Sequence, residues 1–280
     1  NPARAREIDK PLWKGDVALG SRTILVHGEQ GLGDNLQMCR YVPMLAEQGA
    51  RVIVEISAPL LRIMRTLPGA SEVIEHGKAQ TDFDLHCPVM SLPLALRTEM
   101  HTIPSRVPYL HCPPDLVQTW SDRLGPATKP RIGVMWSGGG NPLMQNRSIA
   151  LEQFSSLFDS RFEWISLHKD VRESDVKALE ACVRSGRLRH FGNEQTDFAD
   201  AAALCQLCEL IISVDTSMAH LAGALARPTW ILLPWVADWR WLIGRRDSPW
   251  YPSARLFRQP REHDWQSVLQ QAGAALPHWL

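Results

Sequence analysis

Short apolar runs alternate along this chain with stretches that are apolar at every third or fourth position, the pattern of strands buried on both faces and of helices buried on one. The pattern is sharpest in Ile211–Pro234, IISVDTSMAHLAGALARPTWILLP. It reads as an apolar strand over Ile211–Val214, the polar triplet Asp215, Thr216 and Ser217, an Ala-rich helix, a break at Arg227-Pro228, and a second strand over Thr229–Leu233. A βαβ unit of this kind is right-handed and its strands are parallel, so the triplet falls at the carboxyl end of a strand and the amino end of a helix. Unbonded N–H groups and the helix dipole favour an anion at such a corner. His220 lies one turn on, on roughly the face of Thr216 and Ser217. The same residues also suit a plainer role, a helix cap followed by an ordinary histidine.

The alternation extends through most of the chain. It predicts a strand over Thr23–His27, a Gly-rich turn Gly28–Asp34, a helix over Asn35–Gln48 closed by Gly49, and a strand over Arg51–Ile56. A helix over Pro59–Leu67, strands over Glu72–Glu75 and Asp84–Val89, and a helical Leu92–Leu96 follow. Pro104, Pro108, Pro113, Pro114, Pro126 and Pro130 then interrupt the pattern around a helix over Leu116–Leu124, and a domain boundary is expected there. The second series has a strand Arg131–Trp136 ending in Ser137-Gly138-Gly139-Gly140, a helix Leu151–Phe158, a strand Trp164–Leu167, a helix Ser174–Val183, a strand Leu188–Phe191 and a helix Asp197–Leu207. Beyond the βαβ unit, Trp235–Pro252 is tryptophan-rich without a clean period, and Trp265–Ala275 closes as a helix.

Such alternation predicts an α/β protein of two Rossmann-like, doubly wound domains: a lead-in over 1–22, a first domain over 23–125 and a second over 126–280, whose last helix is a candidate to pack back on the first. Ligands of such sheets bind outside the carboxyl ends of the strands, here in a central cleft that the two domains face. The chain opens on Asn1 with NPARAREIDKPLWKGD and reads as part of a longer polypeptide.

Charge and composition narrow the function. Thirty basic residues balance thirty acidic ones and no Lys/Arg run gathers, which argues against a nucleic-acid or membrane-surface partner. No apolar run approaches the roughly 20 residues of a membrane span and no signal peptide is recognisable, so a cytoplasmic protein is expected. Of the cysteines, Cys205 and Cys208 form a C-x-x-C, but inside an amphipathic helix with no second pair nearby, which reads as helix core in a reducing compartment.

Three turns at the strand ends carry the candidate chemistry: Gly28–Asp34, Ser137–Gly140 and Asp215–Ser217. Glycine at such turns lets backbone approach a phosphate. Gly31 and Gly33, with Glu55 ending the next strand, resemble part of a dinucleotide fingerprint, and an NAD-dependent oxidoreductase is the alternative this raises. Leu36 stands where its third glycine belongs, and Asp34 would set a negative charge beside the pyrophosphate. Asp34 better suits a base that takes a proton from a hydroxyl nucleophile, or the cap of the following helix. Asp82-Phe83-Asp84 is a D-x-D of the metal–diphosphate kind, but it leads into a strand, and no metal site is expected. Trp239, Trp241, Trp250 and Tyr251 could stack on a base or sugar or form a packed lid, with Asp238 and Arg240 paired within it. Arg147 or Lys169 could neutralise a leaving diphosphate without a metal.

Together these residues resemble a known family. GEQGLGDNLQMCRYVPML (Gly28–Leu45), GVMWSGG with Asn146-Arg147-Ser148, and SVDTSMAHLAGAL (Ser213–Leu225) are similar to the ordered motifs of glycosyltransferase family 9, the heptosyltransferase-like enzymes, over about Thr23 to Trp265. DWRW (Asp238–Trp241) and SPWYPS (Ser248–Ser253) resemble the version found after tetratricopeptide repeats. The resemblance implies a GT-B fold and metal-independent, inverting transfer of a hexosyl or heptosyl group from a nucleotide-sugar co-substrate, with no other cofactor, to a glycan, lipid or protein acceptor. It also allows an inactive nucleotide-sugar-binding module of a larger repeat protein. By motif position it implies Asp34 as base, and Ser137, Gly138, Gly139, Arg147, Asp215, Thr216, Ser217 and His220 toward the donor, where Trp136 and Lys169 are further candidates. Gln30, Gly31, Gly33, Asp238, Trp239, Arg240 and Trp241 are candidates for the acceptor side or a lid. Arg147 stands near the family's lysine, and Ser217 replaces the motif's usual glycine.

Overall fold

The computed structural model describes residues 8–78, 82–139 and 146–279, so Gly140 of the second turn and the first part of the lead-in lie outside the described residues. Contacts divide the chain into two units, Asn1–Pro104 and Ser105–Leu280.

In the first unit, β1 (Thr23–His27) leads through α1 (Leu32–Met38) and α2 (Val42–Glu47) to β2 (Arg51–Ile56), then through α3 (Leu61–Met64) to β3 (Ala70–Glu75), β4 (Leu85–Pro88) and α4 (Leu92–Ala95). The strands form one parallel sheet in the order β3-β2-β1-β4. The single helix expected over Asn35–Gln48 is broken by a 3-10 turn at Cys39–Tyr41. The cause is Pro43, which has no N–H for the Cys39 carbonyl and fits only in a first helical turn, where α2 places it. The lead-in is not a bare linker: Leu12 bridges to His86 beside β4, Trp13 N–H donates to the His86 carbonyl at 2.8 Å, and Trp13 and Leu19 are buried.

The second unit begins with α5 (Pro114–Leu124) and continues with β5 (Arg131–Met135), α6 (Leu151–Phe154), β6 (Glu163–Ser166), α7 (Val176–Arg184), β7 (Arg189–His190) and α8 (Phe198–Gln206). Next come β8 (Leu210–Val214), α9 (Ser217–Ala224), β9 (Thr229–Leu233), β10 (Ala254–Arg258) and α10 (Trp265–Ala275). Every strand pair is parallel, in the order β10-β9-β8-β5-β6-β7. The chain therefore winds outward from β5 to one edge, returns to β8 beside β5, and winds to the other edge. That is a doubly wound sheet with its strand order reversing between β5 and β8. Strand β10 is absent from the sequence expectation because ARLFR is too short a run, with exposed Arg255 in it, to stand out beside a tryptophan-rich loop.

The expected boundary at residues 125 and 126 also differs from the contact division. Residues 105–124 belong with the second unit: the buried Trp120 indole donates to Asp200 Oδ1 at 2.9 Å, and the Tyr109 N–H donates to the Ala224 carbonyl at 3.0 Å. The prolines that suggested a linker instead shape an ordered approach to α5. Helix α10 was a candidate to pack on the first domain, but its buried face, Trp265, Val268, Leu269 and Ala272, joins Ile132, Trp136, Phe154 and Trp230 in the second unit's core. If the Trp120–Asp200 bond fixes α5, Asp200→Ala should cost about 1–3 kcal/mol by leaving the indole N–H buried and unbonded, read as a lower urea midpoint.

Candidate active site

The reversal of strand order brings two turns together. β5 and β8 are paired with Met135 opposite Ser213, so Ser137 and Gly138 leave one strand beside Asp215 and Thr216 leaving the other. Two hydrogen bonds close the loop after β5: Gly138 N–H donates to Ser148 Oγ at 3.2 Å and Ile149 N–H to the Trp136 carbonyl at 2.9 Å. They draw Arg147 over Gly138. A Cβ at Gly138 would lie 3.2 Å from Arg147 Nε, 3.4 Å from its Nη2 and 3.6 Å from the Thr216 methyl, so the glycine is where guanidinium and helix end converge. Arg147 Nε is buried with no hydrogen-bond partner among the described residues.

Thr216, expected at a helix start, is the cap of α9. Its hydroxyl accepts from the Met218 N–H at 3.3 Å and pairs with Ser213 Oγ at 3.1 Å. Ser217 is half-buried at the first helical position. Asp215 is buried, and burial pushes its carboxyl above the ordinary range against the opposing pull of the Arg147 and Arg240 charges. His220, also buried, has Nδ1 2.8 Å from the Tyr251 hydroxyl and its ring stacked on Trp241. Asp238 and Arg240 form the expected ion pair at 3.1 Å, and the guanidinium lies over the Trp239 ring. Of the four aromatic residues read as platform or lid, Trp241, Trp250 and Tyr251 are packed inside, while Trp239 is 57% exposed.

Two sequence candidates have other duties. The Trp136 indole lies in the core, donating to Asp175 Oδ2 at 3.0 Å, while its backbone N–H donates to His168 Nε2 at 3.2 Å. Burial pushes His168 down to about 3, so it is a neutral acceptor that anchors the end of β5. Lys169 follows β6, on the side of β5 away from β8, and its exposed ammonium donates to the Thr196 carbonyl at 2.7 Å.

In the first unit, the Gly28–Asp34 turn ends β1. Asp34 stands in the first turn of α1, whose cap position is Gly31, and not at the cap as one reading had it; its half-buried carboxylate accepts from the Gly31 N–H at 2.9 Å. The turn is held by Asn35, which the sequence reading overlooked. Its amide donates to the Glu29 and Gly31 carbonyls at 3.0 and 2.7 Å and accepts from the Glu29 N–H at 3.2 Å. Gly28 makes room for it, since a Cβ there would be 2.5 Å from Asn35 Oδ1. Gln30 is exposed with φ +57°, so the left-handed residue of this turn is not one of its glycines, and Gly31 and Gly33 are exposed and half-buried. Glu55, the ribose candidate of the NAD reading, is fully buried, accepts from the Gly77 N–H at 3.1 Å and lies 3.7 Å from His76 Nδ1, a position within its own sheet. Asp84 Oδ2 accepts from the Thr23 N–H at 2.8 Å, a role in starting β1, and no metal-binding cluster occurs among the described residues. Cys205 and Cys208 are buried free thiols, with Cys205 pushed up to about 12 by burial.

Residues 194–232, which span α8 to β9 and include Asp215 to His220, match the family model described as Glycosyltransferase family 9 (heptosyltransferase). The fold agrees: a glycosyltransferase family 9 structure from Veillonella parvula superposes with a TM-score of 0.67 at 12% identity, covering 95% of this chain and 92% of that one. Over residues 194–232 in sequence, and over most of its length in fold, this chain resembles glycosyltransferase family 9. The ADP-heptose LPS heptosyltransferase II of E. coli is similar at a TM-score of 0.64 and 15% identity, over 91% of this chain and 99% of that one. The E. coli heptosyltransferase WaaC with ADP is similar at 0.60 and 12%, over 90% and 99%. These likenesses give the chain a GT-B fold, mixed α/β with two parallel sheets. In sequence, the protein FlbA of Caulobacter vibrioides is 25% identical over 296 aligned positions, covering 94% of this chain; the chain spans about half the length of that relative, 48%. Among the described residues no helix is long and apolar enough to cross a membrane.

The raised carboxyl of Asp215 makes a stability test. The folded state holds its proton more tightly than the unfolded chain, so this group costs stability increasingly as pH rises from about 3.8 and fully above its folded pKa. Asp215→Asn should therefore unfold at a higher temperature than the parent at neutral pH, with the gain shrinking as pH falls and gone below about 3.8.

Proposed function

We propose that this chain transfers a sugar from a nucleotide-sugar donor to an acceptor hydroxyl, without a metal and with inversion at the anomeric carbon. The observation that carries the reading is the convergence of Arg147, Gly138 and the capped amino end of α9 at the reversal of strand order. A buried guanidinium N–H with no acceptor among the described residues, beside the amino end of α9, suits diphosphate oxygens that gain charge as the sugar leaves. Asp215, Ser217 and His220 suit the sugar hydroxyls and the diphosphate. Asp34 takes the proton from the acceptor hydroxyl as its oxygen bonds the anomeric carbon and the bond to the nucleoside diphosphate breaks. The first-unit turn supports this role because the Gly31 N–H fixes one carboxylate oxygen on the rigid start of α1.

The heptosyltransferase relatives, one of them solved with ADP, support a nucleotide-sugar donor of this kind. For the acceptor, a glycan, lipid or protein hydroxyl meets the same chemistry, and the likeness of DWRW and SPWYPS extends the reading to presentation of that acceptor by tetratricopeptide repeats in the cytoplasm.

Two experiments test this. A thermal-shift panel of ADP, UDP, GDP, CMP, dTDP and NAD, with and without magnesium, should give a metal-independent rise with a nucleoside diphosphate; a rise with NAD alone would turn the reading to an oxidoreductase. Asp34→Asn should leave that shift intact and lower transfer by at least about a hundredfold. Undiminished transfer would remove Asp34 as base, and binding without turnover by the parent chain would make the domain a binding module.

A further inference from the structure

We infer that Tyr251 is a positioning residue for His220, holding the imidazole as the tautomer whose Nε2 carries the proton and so presents an N–H to the bound nucleotide. The inference rests on the donor-binding reading of the corner at α9.

Two contacts act on the His220 ring. Trp241 stacks on its face, ring centres 5.3 Å apart and planes 17° from parallel, which sets the plane of the imidazole. The Tyr251 hydroxyl, 2.8 Å from Nδ1, sets which edge of the ring points which way. Both enclosing side chains are wholly buried, so their packing, and not a chance surface contact, makes the cage. The sequence prepares it at Gly223, three residues after His220 and so on the same side of α9. A Cβ at Gly223 would lie 2.3 Å from Tyr251 Cδ1; only a residue without a side chain lets the phenol ring lie against the helix backbone and reach the histidine.

The direction of the hydrogen bond follows from acidity. A phenol gives up its proton more readily than the N–H of a neutral imidazole, so Tyr251 donates and Nδ1 accepts. The ring proton then resides on Nε2. The opposite tautomer would turn a lone pair toward a phosphate or sugar oxygen, which repels it, so the arrangement matters for an anionic ligand and little for the fold.

Tyr251→Phe removes the hydroxyl and keeps the ring in the Gly223 notch. The readouts are the His220 ring nitrogens in a proton–nitrogen correlation spectrum, assigned by comparison with His220→Gln, and ADP affinity by calorimetry with UDP and GDP in parallel. The parent should show Nε2–H; the variant should show a mixture of tautomers, an affinity about tenfold weaker and a melting temperature close to the parent's. A parent with the proton on Nδ1, a variant with an unaltered tautomer, or a changed tautomer with unchanged affinity would each overturn the inference. If the parent binds none of these nucleotides, the donor reading fails, and the tautomer comparison still decides whether Tyr251 orients His220.

Discussion

Parallel pairing of β5 with β8 is the constraint on which the second unit depends. A right-handed chain that winds from β5 to one edge and then returns must begin its second winding beside its first strand, and the loops leaving those neighbouring strands diverge to opposite faces. The gap between diverging loops is the one place at the sheet edge where a ligand meets backbone from two strands. Ser137, Gly138 and Arg147 come to it from one side and Asp215, Thr216 and Ser217 from the other. Hydrogen bonding explains why the loops stay there: the Ser148 hydroxyl and the Trp136 carbonyl tie down the first, and the Thr216 hydroxyl caps the second.

The corner is costly to hold. Asp215 keeps a carboxyl in a buried place, offset by two guanidinium charges, and Arg147 keeps an Nε–H without a hydrogen-bond partner among the described residues. Some carboxylates and a histidine elsewhere in the second unit are instead satisfied within the fold. Asp175 is satisfied by the Trp136 indole, the Leu151 N–H and Arg172, Asp200 by Trp120 and the Thr196 N–H, and His168 accepts one backbone N–H as a neutral ring. Groups bonded among themselves build the scaffold, whereas the corner at the reversal of strand order combines a raised buried carboxyl with a guanidinium whose Nε–H has no partner among the described residues. The same contrast separates Trp136 and Lys169, engaged with the fold, from Arg147, whose neighbour Ser148 ties the loop down and leaves the guanidinium over Gly138.

Much of the architecture was legible in the chain because parallel, doubly covered strands have a distinctive signature: apolar on both faces, bounded by glycine and polar turns. The unit from Ile211 to Leu233 is found as written, and the strands expected over Thr23–His27 and Arg131–Trp136 are found as Thr23–His27 and Arg131–Met135, although α1 begins at Leu32, inside the expected first turn. Local chemistry was also readable in hindsight at Pro43, whose missing N–H breaks the first helix. Periodicity could not supply the attachment of residues 105–124 to the second unit or the addition of β10 at its edge. A helix shows which face is apolar but not what covers it, and an edge strand has only one neighbour to shape its pattern.

The sequence by itself determined the fold class, the three turns and the residue types at them, since these follow from hydrophobic period, glycine placement and the charges within a few residues. Only the tertiary structure decided which of those residues meet. Gly138 needs Arg147 and Thr216 around it, Gly28 needs Asn35, and Gly223 needs Tyr251, and each glycine is explained by a group that a local reading cannot place against it. Burial of Asp215, the cap at Gly31 in place of Asp34, and the stacking of His220 on Trp241 are likewise contacts of folded chain with folded chain. The reason is physical: propensity and pattern act over a turn or two of chain, while the site is made by close packing between segments far apart in sequence, which exist as neighbours only after the sheet has closed.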